Sequence, residues 1–204
     1  MRRLLPLMIA IVLGLSFAST AFADDTFYVG LFSPVGNGSR SNTDVLKNLP
    51  SNLSFSGIVV GSDALFKVGE HVEIGIGVGA YYGSATQSGF TDRFFNFPFT
   101  GTVRYLPLAE DAPIHPYVGG GIGANMALFL ADVPAVAGGS LSDIAFAFGP
   151  VVLGGVRIPL GDSNIALGGE IRWQGGTGSF SGDFKNSEIN VGGINAVATV
   201  TFGR

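Results

Sequence analysis

The chain has no cysteine among its 204 residues. A disulfide framework, a thiol nucleophile, a cysteine metal site and a lipidated N-terminal cysteine are therefore excluded. Histidine is scarce, with two residues, and only 13% of the chain is Asp, Glu, Lys or Arg. Because ordinary soluble domains carry about 25% charged residues, a surface that faced water here would be short of charge.

Long apolar runs are also missing after the N-terminal region. Two arginines, the apolar run Leu4 to Ala18 and the small-residue pattern Ala21-Phe22-Ala23 follow one another at the start. This order predicts a secretory signal peptide over 1–23; a retained anchor, the alternative, would need about 20 apolar residues. Later apolar stretches are broken by Gly, Pro or a charge, so any further membrane span must consist of strands.

The charge of the predicted mature chain points away from nucleic acid. Without the two signal-peptide arginines, nine Lys and Arg face 15 Asp and Glu, which gives a net charge of −6. A polyanion is a poor partner for such a surface, so we expect no nucleic-acid binding.

What the chain has in excess is glycine, with 32 residues, and much of it alternates with apolar residues. In HVEIGIGVGAYYG, which runs from His71 to Gly83, Ile74, Ile76 and Val78 share one strand face, and the opposite face is glycine. A half-buried strand in water would cover its second face with polar side chains. The pattern instead predicts an apolar face toward lipid and a bare face toward a narrow lumen.

Eight stretches follow this period of two. They are approximately residues 26–33, 53–67, 70–83, 94–106, 115–128, 143–159, 164–174 and 188–202. Most reach the 9 to 11 residues that a tilted strand needs to cross a bilayer. Long connections rich in Gly, Ser, Asn and Asp alternate with short ones, as expected for outer loops and periplasmic turns. The sequence therefore predicts an all-β fold: an eight-stranded antiparallel up-and-down transmembrane β-barrel over 24–204, with ten strands as the alternative if a loop hides a hairpin.

Aromatic residues cluster near the ends of these stretches, where interfacial girdles lie. The aromatic residues concerned, most of which lie near strand ends, are Phe27, Tyr28, Tyr81, Tyr82, Phe94, Phe95, Tyr105, Tyr117, Trp173 and Phe202. The alternative interpretation is that aromatic residues simply favour strands.

One segment resembles a known family. IHPYVGGGIGANMALF, from Ile114 to Phe129, is similar to a strand of the small eight-stranded outer-membrane barrels, the group that includes the OmpA transmembrane domain, OmpX and OmpW. The stretch FPFTGTVRYLPLAEDAPIHPYVGGGIG, which begins at Phe97, resembles the fourth strand, turn and fifth strand of OmpW-type proteins. The resemblance implies a bacterial outer-membrane location and assembly by the barrel insertion machinery. Such proteins usually end on an aromatic residue, whereas here Phe202 is followed by Gly203 and Arg204.

Strand parity directs a set of charges into the lumen. The set is Glu73, Arg104, Arg157, Glu170 and Arg172. Isolated charges in a narrow, poorly hydrated space are costly unless they are paired. We therefore predict a salt-bridged polar network that plugs the barrel, with a gating or selectivity role as the alternative.

The enzyme-like patterns in the sequence lack the surrounding structure or the ligands that their chemistry requires. GGGIGA, at Gly119 to Ala124, matches a dinucleotide fingerprint, but that motif needs a strand, a helix and a parallel strand around it. His71 and Glu73 share a strand face, yet two ligands do not make a metal site. Both His71 and His115 fall beside predicted periplasmic turns, so a general base would be missing at the outer leaflet. We predict no catalytic residues, no metal and no cofactor.

The sequence favours a barrel with a structural or surface-interaction role through its outer loops. The alternative is an OmpW-like narrow channel for small hydrophobic compounds, and the second alternative is an outer-leaflet lipid A-modifying enzyme. Expected partners are outer-membrane lipid and lipopolysaccharide, the insertion machinery during assembly, and a small hydrophobic ligand for the channel. The apolar stretch LFLADVPAVAGGSL, from Leu128 to Leu141, either forms a lipid-contacting or ligand-guiding rim or prolongs strands five and six.

Overall fold

A computed structural model describes residues 23–34, 57–87, 90–109, 111–133, 139–161, 163–180 and 188–203. The predicted signal peptide, apart from Ala23, lies outside the described residues, and so does the connection between the first two strands. No helix within these ranges is long and apolar enough to span a membrane.

Antiparallel strands account for nearly all of the described chain. They are β1 (Asp24–Pro34), β2 (Gly57–Lys67), β3 (Val72–Gln87), β4 (Phe90–Tyr105), β5 (His115–Val133), β6 (Gly139–Pro159), β7 (Ile165–Gln174), β8 (Thr177–Phe180), β9 (Glu188–Asn190) and β10 (Gly193–Phe202). Neighbours in sequence pair through β7, β10 pairs with β7, and β1 pairs with β10, so the sheet closes on itself.

The ten segments form eight barrel strands. β6 pairs Val151 with Gln174 of β7 and Phe148 with Thr177 of β8, so its register is unchanged across the gap. In the same way β7 and β8 meet β10 and β9 in one register. The predicted eight-stranded antiparallel barrel is thus confirmed, with the seventh strand interrupted beside Pro150, which has no N–H for the ladder.

The strands extend farther at the loop end than the sequence indicated. The region 84–93, read as a loop, continues β3 and β4 as far as the pair Gln87 and Phe90. Residues Thr177–Phe180, also read as a loop, pair with β6. β5 and β6 run through most of the apolar stretch 128–141, as the strand-prolonging alternative expected, and 134–138 lie outside the described residues. The sequence did not indicate the ladders of 84–93 and Thr177–Phe180 because these segments are polar and contain glycine. Backbone pairing does not depend on side-chain hydrophobicity, so such segments can still form strands.

Side chains alternate between a lipid face and a lumen face. Ile122 is 76% exposed and Phe148 75%, and both belong to an apolar belt that includes Ile76, Leu31 and Ile171. Where the structure describes the burial of side chains, the opposite face of the strands is largely buried. This inside-out arrangement is that of a barrel solvated by hydrocarbon.

Candidate functional site in the barrel lumen

The glycine face of β3 makes room for the contents of the lumen. A Cβ atom on Gly75 would lie 2.6 Å from Thr102 Oγ1, and one on Gly79 would lie 2.7 Å from the Tyr28 hydroxyl oxygen. At Gly77 a Cβ would overlap the carboxylate of Asp63. Glycine is present at these positions because side chains from other strands already fill the space.

An ion pair spans the lumen near its turn end, the end that carries the short connections. Arg157 on β6 donates to both carboxylate oxygens of Glu73 on β3, at 3.0 and 2.5 Å. Both residues are buried. Paired, planar contacts of this kind are the strongest form of the Arg–carboxylate interaction.

A second ionic group lies farther along the lumen and is centred on Asp63. Arg104 and Arg172 both donate to Asp63 Oδ2, the latter at 2.6 Å. Glu170 accepts from Arg172 Nε at 2.8 Å and lies 3.5 Å from Arg104 Nη2. Arg104 is 0% exposed. Together with Arg157 and Glu73, these residues form an ionic layer of three acids and three arginines with no net charge.

Two tyrosines tie the ionic layer together. The Tyr117 hydroxyl donates to Glu170 at 3.0 Å, and its ring centroid is 5.2 Å from the guanidinium carbon of Arg104 and 4.8 Å from that of Arg157. Arg172 lies 5.1 Å from the ring of Tyr28. Desolvated guanidinium groups gain from such contacts with aromatic rings.

All five charges that parity directed inward therefore lie in the ionic layer, but the sequence analysis missed its sixth member, Asp63, and the two tyrosines that contact the layer. Asp63 was overlooked, although it shares strand parity with Gly61 and Leu65. The girdle assignment was wrong for Tyr28 and Tyr117, which point into the lumen, and for two other aromatics, Tyr81 and Phe94. The sequence signal that could have identified these inward-pointing residues is that they share strand parity with neighbouring inward glycines. Tyr82, Tyr105, Trp173 and Phe202 do face outward.

Amides form the next layer toward the loop end. Asn96 Nδ2 and Gln174 Nε2 each donate to Asn125 Oδ1 at 3.0 Å. These residues come from β4, β7 and β5 and are buried. They separate the ionic layer from an apolar region.

Apolar side chains fill most of the loop half of the lumen, which also contains the buried carboxylate of Asp143 opposite Phe129. Phe32 packs on Tyr81 with ring centroids 4.2 Å apart, Tyr81 on Phe94 at 5.6 Å, and Phe129 on Phe180 at 6.5 Å. This aromatic layer continues in buried Val59, Ala127, Ala145, Ala147 and Val191. The lumen is thus filled in three layers, which are ionic, amide and aromatic.

Both histidines lie at the turn end. A hydrogen bond of 2.8 Å joins His71 Nδ1 and the carbonyl oxygen of Leu106. His115 lines a cavity of about 230 Å³ at the mouth of the barrel, whose lining includes Glu73 and Arg157 of the ionic layer. The described residues contain no group of three His, Asp or Glu placed to hold a metal.

The closed eight-stranded barrel, its apolar belt and its filled lumen define a small integral β-barrel of the outer-membrane type. No family model matches the sequence, and no curated protein matches it in sequence. Solved structures do match the fold. OprG, an outer membrane protein from Pseudomonas aeruginosa, has a TM-score of 0.59 at 12% identity over 90% of this chain and 97% of its own.

Two further structures have the same fold. Neisserial surface protein A has a TM-score of 0.54 at 14% identity, over 88% of this chain and 96% of its own. The outer membrane protein AlkL has a TM-score of 0.51 at 21% identity, over 90% of this chain and 92% of its own. The predicted fold class is confirmed, and the lipid-facing belt on this fold makes the chain an integral outer-membrane barrel.

Proposed function

We propose that this barrel is closed to ions and serves as a surface scaffold that carries its loops on the outside of the cell. The observation that supports this role is the filling of the lumen by three successive layers. An ion would have to break the Arg157–Glu73 pair and pass the packed rings of Phe32 and Tyr81. Neither step is compatible with a water-filled pathway.

Planar-bilayer recording of the refolded protein tests the closed state. We expect no discrete conductance at moderate voltage. As a control, a variant with Arg157→Ser, Glu73→Ser, Phe32→Ala and Tyr81→Ala, which thins the ionic and aromatic layers together, should conduct if it still folds. Steady open-channel conductance of the unmodified protein would contradict the proposal.

A narrow conduit for small hydrophobic compounds is the second candidate, and one observation favours it. The loop half of the lumen is mostly apolar, with Asp143 as a buried charge, whereas the interior of a water-conducting barrel is polar. The aromatic layer would receive an apolar molecule through contacts with its rings. Uptake of a small hydrocarbon into vesicles with and without the barrel tests this role; equal rates would exclude it.

We also propose that the protein has no catalytic function. The two histidines of the chain both lie at the turn end, so the outer leaflet has no histidine base for a Ser-His-acid mechanism. Replacing His71 and His115 together should leave lipid A composition unchanged by mass spectrometry.

The proposed partners follow from location. Lipid and lipopolysaccharide would cover the apolar belt, and the insertion machinery would act during assembly. A small hydrophobic ligand belongs only to the conduit role, and the net negative charge argues against nucleic acid.

A further inference from the structure

The cavity at the turn end of the lumen has no part in the scaffold role. Its volume is about 230 Å³, and residues in or directly beside all eight barrel strands line it. This volume lies below the range of about 300–1,000 Å³ typical of pockets for drug-sized ligands, so an occupant would be a small molecule. The buried pair of Arg157 and Glu73 contributes to the lining.

Arg157 has a hydrogen-bonding group that this ion pair does not use. Its two terminal nitrogens donate to the two carboxylate oxygens of Glu73, at 3.0 and 2.5 Å. Its Nε is buried and has no hydrogen-bond partner among the residues that the structure describes. Because a buried N–H group without an acceptor costs free energy, this edge of the guanidinium would gain from an oxygen acceptor.

His115 supplies a second nitrogen of the same kind. It faces Arg157 directly in the ladder between β5 and β6, and both side chains line the cavity. His115 Nε2 is buried and lacks a hydrogen-bond partner within the described ranges. This atom donates in the imidazolium and in the neutral tautomer that carries the proton on Nε2. Two neighbouring residues thus offer N–H donors to one acceptor group.

The remaining lining limits the charge of an occupant. It holds three carboxylates and two permanent cations, which are Asp24, Glu70 and Glu73, and Lys67 and Arg157. With His115 as the imidazolium, three cations face the three carboxylates. Such a lining has no excess positive charge with which to hold a dianion such as phosphate, and a single carboxylate is opposed far less.

Much of the other lining is apolar. It includes Val72, Leu106, Leu108 and Ile165. Small-molecule sites typically combine such walls with a few polar groups that fix the orientation of the ligand.

We propose that this cavity binds a small monocarboxylate with an apolar body, which enters from the side of the short turns. The carboxylate accepts from Arg157 Nε and His115 Nε2, and the apolar body contacts the apolar part of the lining. The site requires no passage through the lumen, so it is independent of whether the barrel conducts ions or hydrocarbons.

A charged and a neutral probe of the same shape test the site. The probes are isovalerate and isovaleramide, titrated by NMR against the full chain refolded into nanodiscs. His115→Phe keeps a ring but removes the donor nitrogen. His71→Phe is the matched control, because His71 lies at the same end of the barrel, bonds to the carbonyl oxygen of Leu106 and is not part of the lining.

We expect isovalerate to bind saturably and isovaleramide to bind at least about tenfold more weakly, because the amide cannot make charge-assisted hydrogen bonds. His115→Phe should weaken isovalerate binding by about tenfold and His71→Phe by less than about twofold. No saturable binding of isovalerate, equal binding of the two probes or equal affinity of the two variants would overturn the site. If His115→Phe fails to fold, the Nε resonance of Arg157 in the unmodified protein decides: a shift with isovalerate alone supports the site, and no shift overturns it.

Discussion

Asp63 is the residue on which the ionic layer depends most, and Asp63→Asn tests that dependence. The side chain accepts from both Arg104 and Arg172, and the substitution removes its charge with little change of shape. The layer would then hold two acids and three arginines in a space without bulk water. Removing one partner of a buried ion pair typically costs about 3–5 kcal/mol.

We expect a loss of about 3 kcal/mol in the free energy of unfolding, the lower end of that range. Glu170 still neutralises part of the excess, because it contacts Arg172 at 2.8 Å and Arg104 at 3.5 Å. A loss of this size lowers the folding equilibrium constant by about a hundredfold. Urea titration in lipid vesicles measures it, with the folded fraction read from the different migration of unboiled and boiled protein on a gel.

A double substitution separates charge imbalance from simple disruption. Arg104→Met added to Asp63→Asn restores equal numbers of acids and arginines, so its cost should be less than the sum of the single costs by about 1–3 kcal/mol. Glu70→Gln, an exposed change at a turn, serves as the control and should stay within about 0.5 kcal/mol. Additive costs, or a loss below about 1 kcal/mol for Asp63→Asn, would refute the account of the ionic layer.

Three further substitutions probe other parts of the barrel. Gly77→Val places carbon atoms where lumen side chains already lie, so the variant should not reach the folded form that migrates differently before and after boiling. Gly101→Val, with open space at its outward Cβ position, should fold normally. Equal behaviour of the two variants would contradict the filled lumen. Tyr117→Phe keeps the ring but loses the hydrogen bond to the Glu170 carboxylate, so urea titration should show a loss of about 1.5–3 kcal/mol in the free energy of unfolding. An unchanged free energy of unfolding would show that this hydrogen bond does not stabilise the barrel. Ile122→Lys puts a charge in the lipid belt and should cost about 2–4 kcal/mol, well above Leu108→Lys at the turn; similar costs would argue against the placement of the belt.

The barrel and its inward charges could be predicted from the sequence because large apolar residues and small residues alternate along the strands. In a wall that faces lipid, this alternation separates the lipid face from the lumen face. Ile76 and Gly77 differ so much in size that their faces cannot be exchanged. Once the lumen face of one strand is known, the short turns determine which face of the next strand points inward. The inward direction of Arg104 and Glu170 can therefore be predicted.

Asp63 and the lumen tyrosines were harder to find for two different reasons. Around Asp63 the sequence reads VVGSDALF, in which Ser62 is buried as well as its neighbours, so the alternation is blurred. Tyr117 had clear parity with Gly119, but its position at a strand end suggested an interfacial girdle. Contacts that cross the lumen, such as Arg157 to Glu73, join strands far apart in sequence, and no local pattern specifies them.

The ladder between β1 and β10 runs from Asp25 opposite Phe202 to Pro34 opposite Gly193. Because this seam joins β1 to β10, the cylinder cannot close until β10 is in place, and until then the strands at the two edges of the open sheet each carry unpaired backbone groups. The same proximity means that a short peptide could join Phe202 to Asp25 and that a circular permutant cut at another turn would keep all of its strand neighbours.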